Sequence, residues 1–136
     1  LKARELCAVA STGSYEKGEQ EDIASIGRGI AGEKGRVHVS FGTPLSGEFD
    51  TPEDVAAEID RQVIEQYCLH PTNLQAYHLL HGDNAPVPEN LYLEEGDCSP
   101  QEFADRIAAL PDAHRPYALG IYANAVVNKM SLAEGA

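Results

Sequence analysis

GRVHVSFGTP, residues 35–44, is the stretch around which we expect the chain to be organised, because apolar and polar residues alternate along it. The apolar residues are Val37, Val39 and Phe41, and the polar residues beside them are Arg36, His38 and Ser40. A period of two predicts a β-strand over residues 36–43 with one buried face and one solvated face. Pro44 ends the strand because proline cannot donate a ladder hydrogen bond. A single strand cannot satisfy its own backbone groups, so we expect a partner strand, inside or outside this chain.

Outside this strand the sequence is dominated by helical patterns. Helices are predicted over roughly residues 1–10, 19–31, 51–68, 74–82, 99–111 and 114–129. Leu91-Tyr92-Leu93 is the short apolar run that can pair with the 36–43 strand within the chain. The predicted fold class is therefore mostly α with one or two short strands.

Two of these helices carry clear start signals. Thr51-Pro52-Glu53-Asp54 and Ser99-Pro100-Gln101-Glu102 each place a capping hydroxyl, then proline, then an acid at the capping-box position. After the first cap, Val55, Ile59, Val63 and Tyr67 form a stripe that we expect to cover one side of the strand. The last helix is apolar on most sides, which predicts burial in a core or docking on another surface. Gly27 and Gly29 either weaken the second helix or allow close packing against a neighbour.

Composition excludes several classes of protein. The chain of 136 residues carries 22 acidic and 10 basic residues, a net charge of −12, so nucleic-acid binding is not expected. No apolar run is long enough to span a bilayer. Cys7, Cys68 and Cys98 have no metal-finger spacing and no base nearby in sequence, so we expect reduced thiols in a cytosolic protein.

Two short patterns resemble sites but have simpler interpretations. His78 and Asp83 have the His-x4-Asp spacing by which a carboxylate orients a catalytic histidine, but here they mark a helix end followed by a polar turn. The acidic run from Glu94 to Asp97 lacks the ligand order of a calcium loop and is interpreted as a solvated turn. His38 and His81 are interpreted as ordinary polar residues. No catalytic, cofactor-binding or metal-ligating residue is predicted.

The stretch from Val37 to Leu45, VHVSFGTPL, preceded by Lys34-Gly35-Arg36, resembles the last strand of glycerolipid acyltransferase domains. That family includes the bacterial glycerol-phosphate and lysophosphatidate acyltransferases. Its strand has a V-x-V-x-F-G-x-P-L pattern and is followed by an acidic linker and an amphipathic helix, an order that residues 46–50 and the helix from Thr51 match. The resemblance implies that residues 1–68 are the last part of an α/β acyltransferase domain and that residues 69–136 are a helical C-terminal extension.

The same resemblance implies that the catalytic motifs lie elsewhere. The family uses an Asn-His-x4-Asp block and a Glu-Gly-[Thr/Ser]-Arg block, the second for the acceptor phosphate. Here Tyr77 precedes His78, and Asp97-Cys98 follows Glu95-Gly96, so neither block is present. The chain begins Leu-Lys-Ala-Arg without Met, and we expect it to be an inactive segment of a longer reading frame.

Three functional hypotheses follow. In the first, the chain is the C-terminal structural part of an enzyme that transfers an acyl group from acyl-CoA or acyl carrier protein to a glycerol phosphate or lysophospholipid. Its partner is then the rest of the parent chain, in the cytoplasm, with any contact to the inner membrane made through the parent. In the second, it is a non-catalytic helical interaction module or homodimer, docked through its last helix. In the third, it is an unrelated small enzyme that uses His78 and Asp83.

Overall fold

The computed structural model describes residues 1–32, 37–87, 91, 93–96 and 98–134, and the regular structure in these ranges is helical. A short 3-10 turn, Asp112–His114, precedes the last helix. The α-helices are α1 Lys2–Thr12, α2 Glu21–Ala31, α3 Pro52–Glu65, α4 Pro71–His81, α5 Pro100–Ala108 and α6 Arg115–Glu134. The mostly α class is therefore confirmed, and the helices lie close to where the sequence predicts them.

Helix α6 is the centre of the packing. It lies against α1, α3, α4 and α5, and this central position explains why it is apolar on most sides. Phe103 of α5 is fully buried and meets Tyr122 of α6 edge to face, with 5.0 Å between ring centroids. The core is formed by Leu69, Ala76, Tyr77, Phe103, Ile107, Ala118, Leu119, Ala123 and Val126.

Both predicted capping boxes are formed. The Asp54 backbone N–H donates to Thr51 Oγ1 at 3.2 Å, and the Asp54 carboxylate accepts from the Thr51 backbone N–H at 3.0 Å. Ser99 and Glu102 make the same pair of hydrogen bonds at the start of α5. These contacts satisfy backbone donors that a helix start otherwise leaves unpaired.

Helices from both sides of residue 68 pack on α6, although the nine buried core residues of the described ranges all lie at or after Leu69. α1 and α3 pack on α6 together with α4 and α5. Asn73 in the first turn of α4 donates its side-chain amide to the Tyr122 carbonyl at 2.9 Å, which fixes the start of α4 on α6. The division of the chain at residue 68 stays a prediction. Across the described ranges, no helix combines the length and the apolar character needed to cross a membrane.

Helix α2 leaves its apolar face uncovered. Ile23, Ile26 and Ile30 are 72%, 62% and 79% exposed. α2 is tied to α1 by polar contacts, with Arg4 paired to Glu21 at 2.8 Å. A Cβ added at Gly27 or Gly29 would meet nothing within 4 Å among the described residues, so these glycines do not serve close packing there.

The predicted strand is not formed in the described residues 37–43, which belong to no ladder. The face that the sequence predicts to be buried is exposed in the described residues, where Val37, Val39 and Phe41 are 70%, 68% and 89% exposed. The physical reason is that a ladder needs a second strand. Leu91 and Leu93 lie outside regular structure, and Tyr92 and Arg36 fall outside the described residues.

Candidate functional site

A cleft of about 520 Å³ separates segment 37–45 from α3 and from the turn that follows α3. Segment 37–45 turns its polar side into this cleft, while the apolar side points to solvent. Ile59, Val63 and Tyr67, from the apolar stripe that begins in α3, face segment 37–45 as expected, but they face its polar side and not its apolar side. The lining residues are His38, Ser40, Gly42, Thr43, Leu45, Ile59, Gln62, Val63, Gln66, Tyr67, Cys68 and His70.

Gly42 is the point of closest approach between the segment and α3. A Cβ built on Gly42 would lie 2.5 Å from Oε1 of Gln62, so any larger residue forces one of the two to move. Gln62 is 9% exposed and donates to Glu58 Oε1 at 2.9 Å, which limits its freedom to yield. This contact holds the segment over α3. It thereby fixes the position of His38, whose Nε2 lies 2.8 Å from Ser40 Oγ.

The turn after α3 presents two polar side chains on either side of a core residue. Leu69 is 1% exposed and anchors the turn in the core. Because side chains alternate along an extended backbone, Cys68 and His70 project together to the opposite side and line the cleft. The Cys68 Sγ atom lies 3.9 Å from Nε2 of His70. Glu94 is held beside this turn because its backbone N–H donates to the Leu69 carbonyl at 2.7 Å.

These contacts gather a thiol, an imidazole and a carboxylate from three parts of the chain. The ligand atoms of His38, Cys68 and Glu94 all lie within 4.8 Å of one another. Cys68 and Glu94 are half-buried, and His38 is exposed. Sulfur, imidazole nitrogen and carboxylate oxygen are the donor types that zinc binds in proteins. This cluster is the candidate functional site.

The surroundings of Cys68 favour its neutral thiol, chiefly because the side chain is partly buried. Burial raises the pKa of Cys68, the Glu94 carboxylate raises it further, and Lys129 acts in the opposite direction. Lys129 is held nearby by donating to the Glu65 carbonyl at 2.8 Å. A raised pKa leaves little thiolate at neutral pH, so Cys68 with His70 is a poor nucleophilic pair. A metal cation, in contrast, displaces the thiol proton on binding.

A charged pair on α3 lies beside Gln62, which lines the cleft. Arg61 donates to both Glu58 oxygens at 2.7 Å, and these bonds, together with the one from Gln62, lower the pKa of Glu58 to about 2. Arg61 also pairs with Glu65, and its own pKa is raised by the two carboxylates, Glu58 first. Glu58 therefore stays charged and positions Gln62 under Gly42.

The pair singled out by spacing, His78 and Asp83, does not form a site. His78 is half-buried on α4 and Asp83 is exposed beyond Gly82, and no hydrogen bond joins them in the described part of the chain. The neighbouring His81 ring stacks on Tyr77 instead, with 4.7 Å between centroids. This geometry is that of a helix end with a polar turn.

Sequence reasoning missed all three residues of the cluster. The sequence predicts an ordinary polar residue at His38, a solvated turn at Glu94 and no base near the cysteines. One local signal was present, because Cys68-Leu69-His70 places two donors around an apolar residue. Local spacing does not reveal His38 and Glu94, because 29 and 25 residues of the chain lie between them and Cys68.

Comparison with protein-family models, with curated proteins and with solved structures finds no match to this chain. The functional assignment therefore depends on the residues and the geometry described above.

Proposed function

We propose that this chain is the C-terminal structural part of a glycerolipid acyltransferase, and that residues 36–43 complete the sheet of the parent domain. The observation that carries the proposal is the exposed apolar face of the segment. Val37, Val39 and Phe41 point to solvent, while the polar side chains between them face the cleft. A sequence that alternates in this way favours a covered apolar face, and the helices of this chain leave it open.

Pairing with the parent sheet accounts for both features of the segment. It supplies the ladder hydrogen bonds that an extended chain requires. It also covers the three apolar side chains, and at about 1.5–3 kcal/mol for each fully buried Val or Phe the exposed fractions leave about 3–7 kcal/mol to be gained. The V-x-V-x-F-G-x-P-L pattern and the capped helix at Thr51 are the order expected after the last strand of that family.

In this proposal the helices buttress the sheet, and catalysis belongs to the parent domain. Acyl transfer from acyl-CoA or acyl carrier protein to a glycerol phosphate or lysophospholipid would use the histidine and acid of that domain. Any contact with the inner membrane would also be made by the parent, at its cytoplasmic side. The net charge of −12 makes this chain a poor surface for anionic lipid.

The test compares Val39→Asp in two settings. In the isolated chain Val39 is 68% exposed, so Val39→Asp should change the free energy of unfolding, measured by urea denaturation, by no more than about 0.5 kcal/mol. In the full gene product, acyl transfer from acyl-CoA to lysophosphatidate should fall at least tenfold, because a charge enters the buried sheet face. Val9→Asp, on the exposed face of α1, is the matched control and should keep full activity.

Two results contradict the proposal. One is acyl transfer by the purified 136-residue chain alone. The other is full activity of the Val39→Asp gene product, which would mean that no sheet covers this face.

A non-catalytic interaction module remains the second candidate, and one observation favours it. The inner face of α6 lies in the core, and the isoleucine face of α2 is an exposed apolar surface on which a partner could dock. Light scattering of the isolated chain and of its Ile26→Asp variant distinguishes an interaction module from a structural part of an acyltransferase. A concentration-dependent dimer that Ile26→Asp abolishes supports the module, and a strict monomer argues against it.

A further inference from the structure

We propose that His38, Cys68 and Glu94 form a zinc-binding site that clips segment 37–45 to the helical core. The proposal depends on the described residues alone and holds whether or not the chain is part of an acyltransferase. Three separate parts of the chain supply the ligands: the extended segment, the turn after α3 and the 93–96 loop. None of these parts is fixed on the others by a strand ladder in the described ranges.

The distances fit a site that closes on its ion. Zinc binds sulfur at about 2.3 Å and nitrogen or oxygen at about 2.0–2.2 Å, so the ligand atoms of a tetrahedral site lie about 3.3–3.8 Å apart. Here the three ligand atoms lie within 4.8 Å of one another, so a movement of about 1 Å brings them to zinc distances. His38 can supply this movement because its side chain is exposed. His70 Nε2 lies 3.9 Å from Cys68 Sγ but outside the cluster, so solvent is the expected fourth ligand.

The backbone already orients two of the ligands. Leu69 is buried, and its carbonyl accepts from the Glu94 N–H at 2.7 Å, which fixes the turn and the loop side by side. Gly42 in contact with Gln62 brings the segment that carries His38 over the same place. Outer contacts that hold ligands in this way are a common feature of metal sites.

Charge and ligand type favour zinc over the hard cations. One thiolate and one carboxylate balance the charge of a divalent ion, and the neutral imidazole adds none. On binding, the Cys68 proton leaves to solvent as the zinc–sulfur bond forms, and the carboxylate and imidazole donate lone pairs without a redox change. Sulfur and imidazole donors select zinc, whereas magnesium and calcium prefer sites made of oxygen. The net charge of −12 raises the local concentration of any cation.

The experiment uses Co²⁺ as a spectroscopic probe for Zn²⁺, added without oxygen to the chain purified free of metal. We expect one Co²⁺ per chain, a thiolate-to-cobalt charge-transfer band and visible bands typical of four-coordinate cobalt. Zn²⁺ should displace Co²⁺, and excess Mg²⁺ or Ca²⁺ should not. Cys68→Ser should abolish the charge-transfer band, and His38→Ala should weaken Co²⁺ binding at least about tenfold.

The matched controls are Cys7→Ser and Cys98→Ser, because both thiols are half-buried like Cys68 but lie outside the cluster. Both controls should keep the band and the affinity. His38 is exposed, so His38→Ala should leave the helical circular dichroism spectrum unchanged and remains informative if Cys68→Ser unfolds. The proposal is overturned if Co²⁺ gives no thiolate band, if the band survives in Cys68→Ser, or if His38→Ala binds Co²⁺ as tightly as the unsubstituted chain.

Discussion

Leu69 joins the core to the candidate site, and its truncation gives a quantitative test of the packing. The side chain is 1% exposed and is among the largest fully buried ones in the described residues. Leu→Ala substitutions at buried positions cost about 2–5 kcal/mol, through lost transfer free energy and the cavity left behind. Because Leu69 lies on a turn and shares a core with buried residues of α4, α5 and α6, we expect Leu69→Ala to fall in this range.

The matched control is Leu79→Ala, which removes the same atoms from a side chain that is 51% exposed on α4. No closed cavity forms there, and about half of the transfer term is already lost, so a cost below about 1 kcal/mol is expected. The free energy of unfolding is measured by urea denaturation, followed by circular dichroism at the helical band. With a slope of about 1.5 kcal/mol per molar urea, Leu69→Ala should lower the midpoint by at least about 1.3 M and Leu79→Ala by less than about 0.7 M.

Equal midpoint shifts for the two leucines would refute the reasoning, because they would mean that Leu69 is not packed in a common core. A second readout concerns the site. Leu69→Ala should also weaken Co²⁺ binding under conditions where the variant is folded, because Cys68 and Glu94 are oriented through Leu69. Leu79→Ala should leave Co²⁺ binding unchanged.

Three further predictions concern the caps, the charges and the cleft. Ser99→Ala removes the cap of α5 and should cost about 1 kcal/mol by urea denaturation, whereas Ser46→Ala in an exposed loop should be neutral. The pKa of Glu58 is about 2 in the folded chain against an ordinary 4.5, so its contribution to stability is complete above pH 4.5 and is lost as the pH falls towards 2. Melting temperatures measured over that range should fall less steeply in Glu58→Gln than in the unsubstituted chain or in the exposed-loop control Glu16→Gln. Parallel curves would contradict a lowered pKa of Glu58. Gly42→Ala should weaken Co²⁺ binding at least about tenfold with little change in urea midpoint, because it displaces the segment that carries His38; unchanged affinity would show that the contact with Gln62 does not position the site.

The helices could be read from the sequence because their signals are local. Proline after a capping hydroxyl fixes the start of α3 and α5, and each cap forms with the acid that the sequence places three residues later. The apolar spacing of Phe103 and Ile107 gives the buried face of α5. The unusual composition of α6 predicted a helix surrounded by others, although sequence alone left open whether its neighbours belonged to this chain.

The cluster could not be predicted, because it depends on how distant parts of the chain meet. His38 reaches Cys68 only because Gly42 lets the segment lie against α3, and Glu94 is placed by a single backbone hydrogen bond to Leu69. Neither contact leaves a pattern in sequence spacing. The strand failed for a related reason, since its alternation predicts a preferred environment for each face but does not say that the partner for the apolar face is present.

Segment 37–45 thus has two faces that bind different partners in the two proposals. Its polar face contacts α3 and zinc, its apolar face contacts the parent sheet, and both are carried by the same backbone. Fixing the backbone of five residues, 37–41, costs about 5–10 kcal/mol at about 1–2 kcal/mol each, which an isolated strand cannot recover without a ladder. Contacts of the polar face with α3, and a zinc ion on His38, reduce the freedom of that backbone before the apolar face meets a sheet. Ordering by one face therefore lowers the cost of binding at the other, and by linkage a bound sheet must tighten zinc binding by the same factor. Where both proposals hold, this shared segment therefore couples binding of the sheet to binding of zinc.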